Sequence, residues 1–169
     1  NKHDQINNPW LSADIIKKHV TAGLVMAHKY RLPTAIRAFI PEHQGTMQIV
    51  YFYHQAQQLA QQDPTISVQK SDFSYDGPIP QSRETAIVML ADSCEAALRS
   101  LQAGAKPTTK EPTREEALAM VNKILRSRYS ENQLVDSGLT RKQMDIIAKV
   151  FVDVWQQFHH KRIAYPKKG

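Results

Sequence analysis

Residues 82–101, SRETAIVMLADSCEAALRSL, decide the fold. Ser82 suits a helix N-cap, because its hydroxyl can accept from an N–H of the first turn. Ala86, Ile87, Leu90, Ala91, Cys94, Leu98 and Leu101 then recur at helical spacing and make one face. Val88, Met89 and Ala96 fall on the other side. A helix apolar nearly all round is a central one, so this stretch predicts a core element wrapped by other helices. Asp92 sits inside it. An unpartnered carboxylate costs several kcal/mol to bury, so Asp92 is expected to be paired (Arg99 is one partner in reach), neutral or bound to a metal.

The flanking segments also read as helix, and none alternates apolar and polar residues over strand length. Upstream, Ser12 reads as the cap of a helix carrying Ile15, Ile16, His19, Val20, Gly23, Leu24 and Ala27. Pro33 opens a second, with Ile36, Phe39, Ile40 and His43 as its stripe and Gly45 at its end. A third runs from about Met47 to Gln62. Asp63-Pro64, Asp76-Gly77-Pro78 and Pro80 break residues 63–81 into a long loop, with Phe73 and Tyr75 as its anchors. Downstream, a linker around Gly104–Pro112 precedes two capping boxes, Thr113 with Glu116 and Thr140 with Gln143. They open helices to about Arg128 and about His160. The last carries Met144, Ile147, Phe151, Val154, Trp155 and Phe158 on its apolar side. The expected class is all-α, a single domain over residues 1–169.

Composition narrows the chemistry. A lone cysteine, Cys94, excludes an internal disulfide or a cysteine-built zinc cluster and reads as a small core residue. No apolar run is long enough to span a bilayer, and the polar start does not read as a signal peptide. Lys+Arg 22 against Asp+Glu 16 gives +6, which suits an anionic partner, but no specific nucleic-acid partner is expected from charge alone. No glycine-rich phosphate loop is present. Tyr51-Phe52-Tyr53 and Tyr75 read as core aromatics before they read as a stacking surface. The cluster Lys161, Arg162, Lys167 and Lys168 reads as a solvated end.

Three residues break local rules in the same way. His19 and His43 stand in apolar stripes, and Asp92 stands in the central helix. Each histidine alone reads as a hydrogen-bonded core residue. Together, two imidazoles and a carboxylate from three helices make a candidate metal set of the hard-to-borderline kind that suits Mn, Fe or Zn. His3-Asp4 reads as surface, and His28, His54, His159 and His160 as structural or solvated.

Several ordered motifs carry a resemblance. Ile15-Ile16-Lys17-Lys18-His19-Val20, Pro41-Glu42-His43-Gln44-Gly45-Thr46, Tyr51-Phe52-Tyr53-His54-Gln55-Ala56, Pro80-Gln81-Ser82-Arg83-Glu84-Thr85-Ala86 and Met89-Leu90-Ala91-Asp92-Ser93 follow in that order. Ser137-Gly138-Leu139-Thr140 and His160-Lys161-Arg162-Ile163-Ala164-Tyr165-Pro166 extend the match. The set resembles the HD phosphohydrolase domain of PgpH-type bacterial cyclic di-AMP phosphodiesterases. The resemblance implies an HD-domain-like helical bundle, truncated at its N-terminal side and matching the C-terminal two-thirds of such a domain. In the family's ligand pattern, His19 matches the histidine after the His-Asp pair, His43 the first of two adjacent histidines, and Asp92 the final aspartate. The second adjacent histidine is Gln44 here, a substrate-binding candidate, since glutamine is a poor ligand and no proton shuttle. The upstream histidine and His-Asp pair have no counterpart; His3-Asp4 matches a different Asn-x-His-Asp stretch.

By that resemblance the intact parent is a two-metal phosphodiesterase using divalent ions, Mn or Fe, to open cyclic di-AMP to pApA. His19 and His43 would serve one ion and Asp92 the other, and this chain would hold one ion or none and be weakly active or inactive. The implied partners are a cyclic dinucleotide, the parent's membrane region and a second copy in a homodimer. The implied location is the cytoplasmic side of an inner-membrane protein. The competing expectation is a non-catalytic helical module for dimerisation or nucleotide sensing.

Overall fold

The structure, a computed structural model, describes residues 7–103 and 112–159. Helix α1 spans Pro9–Lys29. It starts earlier than a Ser12 cap would allow. Asn8 is the cap, its side chain accepting from the Leu11 N–H at 3.2 Å, and Pro9 takes the first-turn place where a missing N–H costs nothing. Ser12 is buried inside the first turn.

The segment after Pro33 forms two short helices, α2 (Thr34–Arg37) and α3 (Phe39–Glu42), where the stripe predicts one. Pro41 supplies the reason: in a continuous helix its absent N–H would leave the Arg37 carbonyl unpaired and its ring would strike it. Helix α4 is Val50–Gln62. Met47–Ile49 is extended instead of helical, because it pairs with the long loop: the Ile49 N–H donates to the Phe73 carbonyl at 2.7 Å and the Tyr75 N–H to the Met47 carbonyl at 3.0 Å. Gln48 and Ser74 form an isolated antiparallel bridge, and among the described residues there is no longer β-structure. A 3₁₀ turn, Lys70–Phe73, precedes that pairing.

Helix α5 is Arg83–Ala103, α6 is Arg114–Ser130 and α7 is Arg141–His159. Their N-terminal signals all act as the sequence predicts. Ser82 Oγ accepts from the Thr85 N–H at 3.1 Å. Thr113 and Glu116 form a reciprocal capping box, as do Thr140 and Gln143.

Two cores result. The larger joins Ala86, Met89, Leu90, Cys94 and Leu98 of α5 to Ala117, Val121 and Leu125 of α6 and Met144, Ala148 and Val152 of α7. The smaller joins Ala13, Ile49, Phe52, Ala56 and a fully buried Phe73, against which Trp10 and Tyr53 pack at a tilt with ring centroids at 5.6 and 5.8 Å. Phe73 therefore anchors the long loop as expected. The expectation that α5 is buried on both sides does not hold. Its partners α3, α6 and α7 leave one flank open, on which Ile87 and Val88 are 36% and 39% exposed and Asp92 is exposed as well. Among the described residues no helix is long and apolar enough to cross a membrane.

Candidate metal centre

His19 lies on α1 and His43 caps the end of α3. Both rings are anchored to backbone. Nδ1 of His19 lies 2.5 Å from the Ile16 carbonyl oxygen. Nδ1 of His43 lies 2.6 Å from that of Ile40 and 3.1 Å from that of Phe39. A carbonyl oxygen only accepts, so each Nδ1 carries the donated proton, and the neutral tautomer with that proton has its lone pair on Nε2. Those two Nε2 atoms converge to 3.4 Å, with the rings edge to face at 5.5 Å. The Gln44 amide stands over the pair, its nitrogen 3.0 Å from His43 Nε2 and 3.4 Å from His19 Nε2.

The spacing of this pair suits a divalent cation. Two adjacent ligands about 2.1 Å from one cation lie about 3.0–3.4 Å apart, and the nitrogens are 3.4 Å apart. Anchoring the far ring nitrogen to a carbonyl is also how ligating histidines are held in one tautomer and orientation. Two lone pairs facing each other repel, and a donor or a cation between them removes the repulsion; the Gln44 amide supplies the donor here.

The turn that carries His43 and Gln44 is clamped from both sides. Glu42, buried at 6% exposure, accepts from the Gln81 N–H at 3.0 Å and ties α3 to the approach of α5. Gln133, between α6 and α7, accepts from the Thr46 N–H at 3.0 Å and donates to the Thr46 hydroxyl at 2.9 Å. Gly45 between them has φ +53°, and a β-carbon there would sit 2.7 Å from Met89 Cε and collide with the Gln133 side chain. Only glycine meets both demands comfortably.

Asp92 does not join the histidines. Among the described residues no three His, Cys, Asp or Glu side chains are close enough to hold a metal ion together. Asp92 has no ion pair among those residues, and the alternative partner Arg99 bonds Glu95 at 2.5 Å instead. Being exposed, Asp92 needs no partner to offset burial. His19 is exposed too, so the inward-facing position expected from its apolar stripe is not what brings it to His43.

Tyr75 connects the two places. Its ring stands edge-on to His19 at 5.9 Å. Burial, and secondarily the Asp92 charge, push its phenol up to about 12, so it stays protonated at neutral pH. Periodicity cannot locate a single aromatic in an irregular loop, and its anchor reading concealed its place beside the histidines. Gln133 escaped for the same reason: its partner Thr46 is 87 residues away. Cys94 is buried, and burial pushes its thiol up to about 12 against a smaller opposing pull from Arg128, which suits an inert core residue. His28 meets the Arg37 guanidinium and His54 is exposed, in line with structural or solvated roles. His3, Asp4, His160 and the basic cluster from Lys161 to Lys168 lie outside the described residues.

No protein-family model matches the chain. The uncharacterised Synechocystis protein slr0104 is 60% identical over 167 residues, 99% of this chain and 20% of that protein. The cyclic-di-AMP phosphodiesterase PgpH of Bacillus subtilis is 34% identical over 99% of this chain and 22% of its own length. That of Listeria monocytogenes is 30% identical over 98% of this chain and 21% of its own length. The chain thus spans about a fifth of the curated relatives it matches. Among solved structures, the L. monocytogenes PgpH HD domain in complex with cyclic-di-AMP superposes with TM-score 0.80 at 29% identity, covering 98% of this chain and 71% of that one. The same domain in a second structure gives 0.79 at 28% identity, over 95% and 68%. The bundle is an all-α HD-domain fold. Within that class the chain is similar to the HD domains of the PgpH phosphodiesterases, as its ordered motifs imply.

Proposed function

We propose that this chain is the C-terminal two-thirds of a single metal-dependent HD phosphodiesterase domain whose intact parent hydrolyses cyclic di-AMP to pApA. The observation that supports it most is the His19–His43 pair, whose Nε2 atoms stand 3.4 Å apart while each Nδ1 is held from behind by a backbone carbonyl. His19 and His43 would hold one divalent ion, Mn or Fe. Asp92, exposed on the open flank of α5, would serve the other ion of the parent's pair. When bound, such a cation supplies Lewis-acid stabilisation of charge on the phosphoryl oxygens. The chain's own groups orient the substrate. The Gln44 amide, already a donor at the histidine nitrogens, can turn to a phosphoryl oxygen and fix its position, but it can neither take nor give a proton at neutral pH. The chain would sit on the cytoplasmic face of a membrane-anchored parent, where a homodimer would be a further partner.

The test is equilibrium binding and turnover of cyclic di-AMP by the purified chain with Mn²⁺. Binding weakened about tenfold by His43→Ala, a loss of about 1.4 kcal/mol, with little or no pApA formed, is expected. No binding contradicts the reading. Robust Mn²⁺-dependent turnover that His43→Ala abolishes contradicts the half-site assignment instead. The separation of Asp92 from the histidines also favours a second reading, a nucleotide-sensing module without catalysis; binding with no turnover even in the longer parent would select it.

A further inference from the structure

Tyr75 packs against both cores, and it is placed by backbone as well as by packing. Its N–H is held by the Met47 carbonyl at 3.0 Å, next to the Gln48–Ser74 bridge, and its ring is held edge-on to His19 at 5.9 Å. The ring is therefore fixed, and the hydroxyl at its tip is not engaged by any described residue. Among the described residues it has no hydrogen-bond partner, although the side chain is half-buried. A half-buried phenol usually bonds something through its hydroxyl. The polar groups tied to this residue are the His19 imidazole, edge-on to its ring, and Asp92, whose charge reaches the phenol; His43 and the Gln44 amide lie on the far side of the contact, against His19. A donor in that setting is best used by an anionic oxygen, because a hydrogen bond to a charged acceptor is about twice as strong as a neutral one.

We propose that Tyr75 is a substrate-contact residue: its O–H donates to a phosphoryl oxygen of a phosphodiester seated on the His19–His43–Gln44 face. The assignment rests on the phosphodiesterase reading above and adds a residue and a contacted group to it. The ring–ring contact with His19 has a consequence for the test. Removing the ring would disturb the imidazole, whereas removing only the oxygen leaves the packing in place.

Tyr75→Phe is therefore the informative variant, compared with the unsubstituted chain for Mn²⁺, cyclic di-AMP, pApA and adenosine, alongside thermal unfolding. The expected result is unchanged unfolding temperature and Mn²⁺ affinity, cyclic di-AMP and pApA each bound about tenfold more weakly, and adenosine unaffected. Equal cyclic di-AMP affinity in the two proteins overturns the Tyr75 contact and leaves the phosphodiesterase reading standing. A loss shared by adenosine overturns the phosphoryl assignment. Weaker Mn²⁺ binding in Tyr75→Phe means that the residue acts through His19, and overturns the contact. Failure of the unsubstituted chain to bind cyclic di-AMP overturns both readings at once.

Discussion

His19 and His43 owe their chemistry to what holds them from behind. Each Nδ1 is committed to a carbonyl within its own helical segment, a local bond that the sequence implies once the helix is known. Their meeting is not local. The sequence places both in apolar stripes and marks them as anomalies, yet His19 is exposed, and its significance comes from the ring opposite it. Asp92 shows the converse: an apolar neighbourhood in sequence suggests burial, and the fold leaves it on an open flank. Tyr75 and Cys94 carry a prediction at this scale. Their acidic forms are favoured in the folded state, with the thiol raised from 9.0 and the phenol from 10.0, each to about 12. The unfolded chain loses these protons first, so this contribution to stability is complete below about pH 9 and drains away as pH rises to about 12. Thermal unfolding followed against pH should show that decline, and Cys94→Ala should remove the part between pH 9 and 10, where only the thiol differs between the two states. An identical alkaline slope in both proteins would contradict it.

At the scale of elements, the starts of α5, α6 and α7 are readable from four residues apiece, because caps are satisfied within one turn. The break at Ala38 and the extended Met47–Ile49 are harder. The first depends on weighing Pro41 above the periodic stripe, and the second on a partner, Phe73 to Tyr75, that lies beyond a helix. The turn between α3 and α4 holds the candidate site, and its weak point is Gly45. Gly45→Ala should cost at least about 1–2 kcal/mol for the left-handed backbone, more once Met89 and Gln133 shift, and should weaken Mn²⁺ binding by moving His43 and Gln44. Thr113→Ala should cost about 1 kcal/mol by loss of a cap and leave Mn²⁺ binding alone, since α6 begins far from the histidines. Denaturant unfolding with Mn²⁺ titration of both variants checks the pair; equal effects on the metal would show that the turn does not set the site.

For the whole molecule, the all-α class was open to a reading of periodicity, while the arrangement of helices was not. Periodicity reports that α5 is apolar on most sides; it cannot report that α6 and α7 crowd one flank and leave Ile87, Val88 and Asp92 outside. The energetics follow the same division. Met89, fully buried between α5 and the Gly45 turn, should cost about 2–5 kcal/mol as Met89→Ala. Val88→Ala, on the open flank, should cost well under about 1 kcal/mol, and similar losses from the two would mean that the flank is covered. The two cores meet at Tyr75, whose ring contacts His19 and whose phenol feels the Asp92 charge, while among the described residues no shared three-ligand group joins the histidines to Asp92.

The claim on which the functional account depends is that His19 and His43 share one cation. Electron paramagnetic resonance of Mn²⁺ titrated into the chain tests it directly, with His19→Ala, His43→Ala and Cys94→Ala run beside it. The account predicts one bound Mn²⁺ per chain, lost in either histidine variant and kept in the cysteine variant. Mn²⁺ binding that survives both histidine substitutions, or that is absent from the unsubstituted chain, would contradict it.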